Sequence, residues 1–222
     1  MGDNEKVLSY GDVILRKSDL KILRGPYHLN DRIIEFYFCY LSNSISPTIN
    51  FVAPSVSFWI LNVPDVDSIK LFVDPLKLPE KELVLFPIND NENFSLAEGG
   101  THWSLLVYDR KKNVFEHYDS SSINKSYARK LFTNIKDFMG PSSASATFIE
   151  HFTPRQRNGH DCGLYVLAIA KEICSYRGDT LGEDWESVLK ARVTPTAVSE
   201  MRNQILEIIN DLSNQKGNSV SS

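Results

Sequence analysis

The stretch QRNGHDCGLYVLAIA, residues 156–170, places a cysteine, Cys162, between an aspartate and a glycine. An apolar run typical of a buried helix follows, from Leu164 to Ala170. A helix that begins at Cys162, capped by Asp161, would direct free N–H groups and the positive end of its dipole toward the sulfur. Such surroundings lower the pKa of a thiol and supply thiolate near neutral pH. The stretch therefore predicts a nucleophilic cysteine.

The alternative interpretation is a small core residue, which is the commoner fate of a cysteine. Cys39 and Cys174 fit it, because each lies inside an apolar helical run. Cys162 differs, because it stands where the helix begins, and Gly163 after it leaves room for a substrate backbone. Cys162 and Cys174 would lie about 18 Å apart along one helix, which is too far for a disulfide. Reduced thiols are expected.

Length and composition indicate a folded globular protein. The chain has 222 residues, 42% of them hydrophobic and 11% aromatic, which is enough for a sizeable core. We expect one domain over residues 1–213 and a disordered tail over residues 214–222. The net charge of −4 provides no basic surface for nucleic acid. The sequence has neither a signal peptide nor a membrane-spanning run, so a soluble intracellular protein is expected.

Hydrophobic periodicity predicts helices at both ends of the chain and strands in the middle, which is typical of an α+β domain. One helix begins at Asp31 with Asn30 as its N-cap. The other predicted helices cover residues 53–61, 65–73, 124–140, 162–170 and 194–214, and the predicted strands cover 82–88, 101–109, 113–120 and 146–152.

A thiolate nucleophile needs a base, usually histidine, which a carboxylate orients. The strands at 101–109 and 113–120 form a predicted hairpin with a short turn, which places Asp119 opposite His102 or one position away. His117 is the competing base, but it would pair near Leu105 in the middle of a strand, where a packed histidine is the better interpretation. The remaining histidines are weaker candidates: His28 and His151 have no orienting partner, and His160 is too near Cys162 in sequence.

Gln156 precedes Cys162 by six residues, so its amide could donate a hydrogen bond to an oxyanion beside the Cys162 N–H. A solvated loop glutamine is the alternative interpretation. No HExxH, CxxC or phosphate-loop motif occurs, so we predict neither a metal site nor a cofactor.

Three segments resemble the ubiquitin-like-protein-specific cysteine proteases, the Ulp/sentrin-protease family. They are GGTHWSLLVY (99–108), HYDS (117–120) and QRNGHDCGLYV (156–166), and the resemblance spans about residues 8–210. The segments VLSYGDVILRKSDLKIL (7–23) and LNDRII (29–34), and INDN (88–91) together with GGTHWSLLVY, resemble the deneddylating branch most closely.

The resemblance implies a papain-like α+β fold with a central mixed sheet flanked by helices. It implies His102 as the base, Asp119 as its orienting group, Cys162 as the nucleophile and Gln156 as the oxyanion donor. A second set of residues would bind the Gly-Gly tail of a modifier: Trp103 as a tunnel wall, His28 where the family commonly carries a tryptophan lid, and Asp31.

The activity so implied is cleavage after the C-terminal Gly-Gly of a NEDD-type modifier, either in its precursor or in conjugates on target lysines. The expected partners are the free and conjugated modifier, with cullins among the targets, and a monomer in the cytoplasm and nucleus is expected. The NEDD-type tail carries alanine where ubiquitin has arginine. Three alternatives stay open: a SUMO-specific protease, an acyltransferase on the same fold, and an inactive modifier-binding protein.

Overall fold

The computed structural model describes residues 2–63, 65–96, 99–176 and 184–219. The strands in this part of the chain are β1 (Lys6–Tyr10), β2 (Val13–Arg16), β3 (Ile49–Phe51), β4 (Leu83–Asn89), β5 (Trp103–Asp109), β6 (Val114–Tyr118) and β7 (Thr147–Glu150). The α-helices are α1 (Lys17–Arg24), α2 (Asp31–Ser42), α3 (Pro54–Asn62), α4 (Val66–Val73), α5 (Lys125–Ile135), α6 (Cys162–Tyr176), α7 (Trp185–Arg192) and α8 (Pro195–Ser219).

The central sheet has the strand order β3-β4-β5-β6-β7. Strands β4, β5 and β6 are antiparallel to one another, whereas β3 and β7 run parallel to their neighbours. Strands β1 and β2 form a separate antiparallel hairpin. The predicted α+β fold with a central mixed sheet flanked by helices is therefore confirmed.

Each face of the sheet carries its own hydrophobic core, as the alternation along β5 illustrates. Leu105 and Val107 pack with α1, α2, α6 and α8, whereas Leu106 and Tyr108 pack with α3, α4 and α5. Because helices cover both faces, the central strands are apolar at consecutive positions rather than at alternate ones. Cys162 belongs to the first of these cores.

Helix α2 begins as predicted. The Asn30 Oδ1 accepts a hydrogen bond from the Ile33 N–H over 3.1 Å, which satisfies one free donor of the first turn. The Asn30 amide also donates to Asp19 of α1 over 2.8 Å. The cap therefore fixes the loop between α1 and α2, which carries His28.

The structure contains elements that the sequence patterns did not predict, namely the β1–β2 hairpin, α1, β3 and α7. Helix α8 continues through Ser219, beyond its predicted end at residue 214, and residues 220–222 lie outside the described residues. Within the described ranges, every helix is too short or too polar to cross a membrane.

Candidate active site

Cys162 is the first residue of α6, and its side chain is fully buried. The Asp161 carbonyl accepts the hydrogen bond of the Tyr165 N–H over 3.0 Å, so Asp161 caps the helix with its main chain. Its carboxylate accepts hydrogen bonds from Asn158 over 2.7 Å and Arg202 over 2.8 Å, which fix the preceding loop. The sulfur therefore lies at the positive end of a helix whose first turn is held rigidly.

Gly163 has a different role from the one predicted. A Cβ atom at this position would lie 2.9 Å from the Leu29 Cβ, so the glycine permits close packing of Leu29 rather than the approach of a substrate backbone. The Leu29 carbonyl also accepts a hydrogen bond from the Trp103 indole N–H over 2.9 Å. Trp103 itself is buried, and in this structure it anchors the loop that contains His28.

His102 immediately precedes β5, and its Nε2 lies 2.6 Å from the Asp119 Oδ1. Both side chains are almost completely buried. Burial disfavours the protonated ring, but the hydrogen bonds with Asp119 and Cys162 outweigh burial and raise the pKa of His102 to about 9. Because Asp119 occupies Nε2, the ring presents Nδ1 to the thiol. The imidazole can therefore accept the thiol proton and hold it as a cation.

The surroundings of Asp119 favour its ionised form. Burial opposes ionisation, but the hydrogen bonds from His102 and from the main chain of Asn124 and Ser121 outweigh it and hold the pKa of Asp119 well below its usual range. The main-chain donors lie 2.9 Å from Oδ1 for Ser121, and 2.7 Å and 2.8 Å from Oδ2 for Ile123 and Asn124. The turn after β6 therefore fixes the negative charge that faces His102.

The register of the β5–β6 hairpin differs by one position from the predicted pairing of His117. His117 pairs with Leu106, whereas the prediction placed it near Leu105. Its Nδ1 lies 3.2 Å from Glu150, and its ring stacks on Phe148. Its neighbour Tyr118 points into the core that contains Cys162, so strand alternation places His117 on the opposite face of the sheet.

Two polar residues that no sequence pattern indicated fix the His102–Asp119 pair, since Asn124 contacts both members and Asp90 contacts His102. The Asn124 amide donates to the His102 carbonyl over 3.2 Å, and the Asn124 N–H donates to Asp119. Asp90, directly after β4, accepts the His102 N–H over 3.0 Å. The sequence signal for them is slight: Asp90 lies just after the predicted strand 82–88, and Asn124 stands at the start of the predicted helix 124–140. Both contacts with His102 join residues more than ten positions apart in sequence, so no local pattern indicates them.

Gln156 lies on the loop before α6, next to the segment that carries Asp119. Its Oε1 accepts a hydrogen bond from the Ser120 hydroxyl over 2.7 Å, and its main-chain N–H donates to the Ser120 carbonyl over 3.2 Å. Its Nε2 donates to the Asn158 carbonyl over 2.7 Å. The amide is thus fixed with its nitrogen away from Ser120, which leaves a second Nε2 hydrogen for another acceptor.

The remaining predicted positions, His28 and Asp31, lie at the same end of the sheet. His28 is exposed on its outer side, and its Nδ1 lies 3.9 Å from the Cys162 Sγ. Asp31, the first residue of α2, lines a cavity of about 150 Å³ together with aromatic side chains that include Phe58, Trp59 and Phe94. The structure therefore brings His102, Asp119, Cys162 and His28 into one cluster, with Gln156 on the loop before α6 and Asp31 at the start of α2.

A thiol at a helix N terminus, next to an imidazole that is bound to a carboxylate, is the constellation that defines cysteine proteases. In comparisons with known proteins, residues 27–191 match the family model described as the Ulp1 protease family, C-terminal catalytic domain. The chain belongs to this family of cysteine proteases.

Among curated proteins, the chain is similar to NEDD8-specific protease 1 of Arabidopsis thaliana, with 45% identity over 216 residues that cover 95% of both chains. It is 38% identical over 211 residues to human sentrin-specific protease 8, covering 93% of this chain and 97% of the relative. A solved structure of the yeast Ulp1 protease domain in complex with Smt3, the yeast ortholog of SUMO, matches with a TM-score of 0.71 at 20% identity, over 96% of this chain and 90% of that one. The last likeness concerns the fold alone.

Proposed function

We propose that this cysteine protease cleaves after the C-terminal Gly-Gly of a NEDD-type modifier, in precursors and in conjugates on lysine. The observation that carries the catalytic part is the buried His102–Asp119 pair, joined over 2.6 Å beside the Cys162 thiol. The modifier preference is supported by the similarity to NEDD8-specific protease 1, which extends over 95% of both chains and not only over the catalytic segments.

In the proposed mechanism, the Cys162 thiol gives its proton to His102, and the thiolate attacks the carbonyl carbon of the terminal glycine. The Cys162 N–H and the free Nε2 hydrogen of Gln156 donate to the oxyanion. His102 then protonates the leaving amine, and the C–N bond breaks to give a thioester. His102 next takes a proton from water, whose oxygen attacks the thioester carbonyl. The C–S bond breaks, the thiolate leaves, and the proton on His102 restores the thiolate–imidazolium pair while Asp119 keeps the ring oriented.

His28, Trp103 and Asp31 form the proposed tail site, which is supported by the position of His28 beside the Cys162 sulfur. A narrow, partly apolar channel would accept the alanine of a NEDD-type tail and reject the arginine of ubiquitin, because burying an unpaired charge costs several kcal/mol. About 3 kcal/mol already gives more than a hundredfold discrimination.

The proposal also covers the setting of the enzyme. A single protease domain over residues 1–213 would act as a monomer in the cytoplasm and nucleus, with modified cullins among its substrates. Size-exclusion chromatography coupled to light scattering tests the oligomeric state, and incubation with NEDD-modified cullin tests the substrate.

A NEDD-type modifier with a C-terminal electrophile tests the nucleophile. We expect a covalent adduct with wild type, with Cys39→Ser and with Cys174→Ser, and none with Cys162→Ala. The two serine variants are matched controls, since they remove thiols of the same chain. An adduct that survives Cys162→Ala contradicts the proposal.

Competitive cleavage of NEDD-, SUMO- and ubiquitin-type precursors tests the preference, with a fourth substrate in which the tail arginine of ubiquitin is changed to alanine. We expect the NEDD-type precursor to be cleaved fastest and the altered ubiquitin to be cleaved faster than native ubiquitin. Fastest cleavage of the SUMO precursor would contradict the modifier assignment, and an altered ubiquitin no better than the native one would show that the arginine is not what is rejected.

A further inference from the structure

The Cys162 sulfur has two imidazole neighbours. His102 binds it from the β5 side, and His28 approaches from the loop between α1 and α2, with 3.9 Å between Nδ1 and Sγ. This separation is at the long end for an N–H···S hydrogen bond. Cys162 is fully buried and His28 is exposed, so the His28 ring lies between the sulfur and the solvent.

The main chain holds His28 in this position from both sides. The Tyr27 carbonyl accepts a hydrogen bond from Arg202 over 2.7 Å, and the Leu29 carbonyl accepts one from Trp103 over 2.9 Å. Gly163, next to the nucleophile, gives the Leu29 side chain its space. Movement of the main chain at His28 would break these two hydrogen bonds, whereas rotation of its side chain would not. The contact with Sγ is therefore built into the site rather than being an accident of a free loop.

The charged groups around His28 favour its neutral form. Burial lowers the pKa of His28, and the nearby His160, His102 and Arg202 lower it further, while Asp90 opposes them. His102, in contrast, has its pKa raised to about 9. When the thiol ionises, its proton therefore goes to His102. His28 stays neutral and keeps one ring proton, which it can donate.

We propose that His28 is a second catalytic imidazole, which donates its Nδ1–H to the Cys162 thiolate and stabilises the thiolate–imidazolium pair of the free enzyme. It transfers no proton during turnover. The thiol proton passes to His102, and the His28 proton remains on Nδ1. The ring rotates away from the sulfur when the glycyl carbonyl arrives, because the carbonyl needs the same approach. This role rests on the proposed nucleophile, and it assigns to His28 a function at the reacting atom in addition to covering the tail.

The rate of Cys162 alkylation by iodoacetamide, followed as a function of pH by mass spectrometry of the Cys162 peptide, tests this role without any modifier. We expect His28→Ala to raise the pH midpoint by about one unit, a tenfold loss of thiolate at lower pH. His28→Phe should raise it similarly, because it keeps a ring but has no N–H. His151→Ala is the matched control, since the His151 ring stacks on Tyr118 rather than lying at the sulfur, and it should leave the midpoint unchanged.

If His28→Phe keeps the wild-type midpoint, the ring only shields the Cys162 sulfur from solvent, and the proposed hydrogen bond from His28 to the thiolate is overturned. An unchanged midpoint in His28→Ala would overturn it as well. The wild-type curve by itself tests the nucleophile: a midpoint at the ordinary thiol value of about 8.5 would contradict the proposed activation of Cys162. A failure of the proposed nucleophile is therefore distinguishable from a failure of the His28 role. The first shows in the wild-type curve alone, and the second shows in the difference between wild type and the His28 variants.

Discussion

Replacing Asp119 by asparagine changes one atom in the most densely bonded part of the site, so its outcome can be worked out from the contacts. The Asp119 Oδ2 accepts two main-chain N–H groups, which will hold the carbonyl oxygen of an asparagine. The new NH₂ group then takes the place of Oδ1, where it loses the hydrogen bond from the Ser121 N–H and donates to the Nε2 of His102. His102 would carry its proton on Nδ1, facing the thiol, and could no longer accept the thiol proton.

Two effects set the size of the loss. The pKa of His102 stands at about 9 against an ordinary 6.5, and the whole difference corresponds to about 3 kcal/mol, to which Asp119 contributes together with Cys162. The inverted tautomer adds a further barrier. A loss of about 10³- to 10⁴-fold in kcat is expected, as in other sites where the orienting carboxylate is neutralised. Binding should change little, because the substitution touches no substrate group.

The assay is hydrolysis of a fluorogenic NEDD-type C-terminal derivative, with the dissociation constant of the uncleaved modifier measured in parallel. Glu150→Gln is the matched control, since it removes the carboxylate that contacts the buried His117 on the same hairpin. It should retain kcat within a factor of two or three. A kcat within tenfold of wild type for Asp119→Asn would refute the assigned tautomer, and so would a loss that lies wholly in binding.

The same contacts support four further predictions. Gln156→Ala should lower kcat by about 10²- to 10³-fold in steady-state assays with little effect on KM, because the donor acts on charge that develops in the transition state; a change in KM alone would assign Gln156 to binding. The plot of kcat/KM against pH should fall as pH rises through about 9, where His102 loses its proton. Since this pKa is raised on folding, the stabilisation from the protonated pair is complete below pH 6.5 and is lost through about pH 9, and the difference in Tm between wild type and Asp119→Asn should shrink over that range. Gly163→Ala should lower the free energy of unfolding by about 1–3 kcal/mol in denaturant titrations, because its methyl group overlaps Leu29. An unchanged free energy of unfolding would show that the loop that carries Leu29 can move to make room for the methyl group.

Much of the fold could be predicted because its strongest patterns are local. Helix α2 with its Asn30 cap, helix α6 and the hairpin of β5 and β6 each combine a clear period with a clear boundary, and each was confirmed. The β1–β2 hairpin was missed because its strands have five and four residues and are only partly buried. Strand β3 has three residues and exists through its pairing with β4, which no local pattern indicates.

In the candidate site, too, the features with a local pattern could be predicted and those that depend on tertiary packing could not. The hairpin allowed His102 and Asp119 to be placed near each other, and the helix start drew attention to Cys162. The support around them could not be predicted, because Asn124, Asp90 and Leu29 meet the site only through tertiary packing. The prediction for Gly163 was wrong for this reason, since its neighbour is a residue 134 positions away in sequence.

Arg202 has a consequence for the order in which the site is completed during synthesis. Its guanidinium donates to the Ile22 and Tyr27 carbonyls, over 3.0 Å and 2.7 Å, and to the Asp161 carboxylate over 2.8 Å. It therefore joins the segment before His28 to the segment before Cys162. A ribosome makes α8 after every other part of the site, so a nascent chain that ends before this helix would contain all the proposed catalytic residues without the ion pair that aligns two of them. Lysine could not replace the arginine, because one ammonium cannot reproduce the planar set of donors that these three acceptors receive.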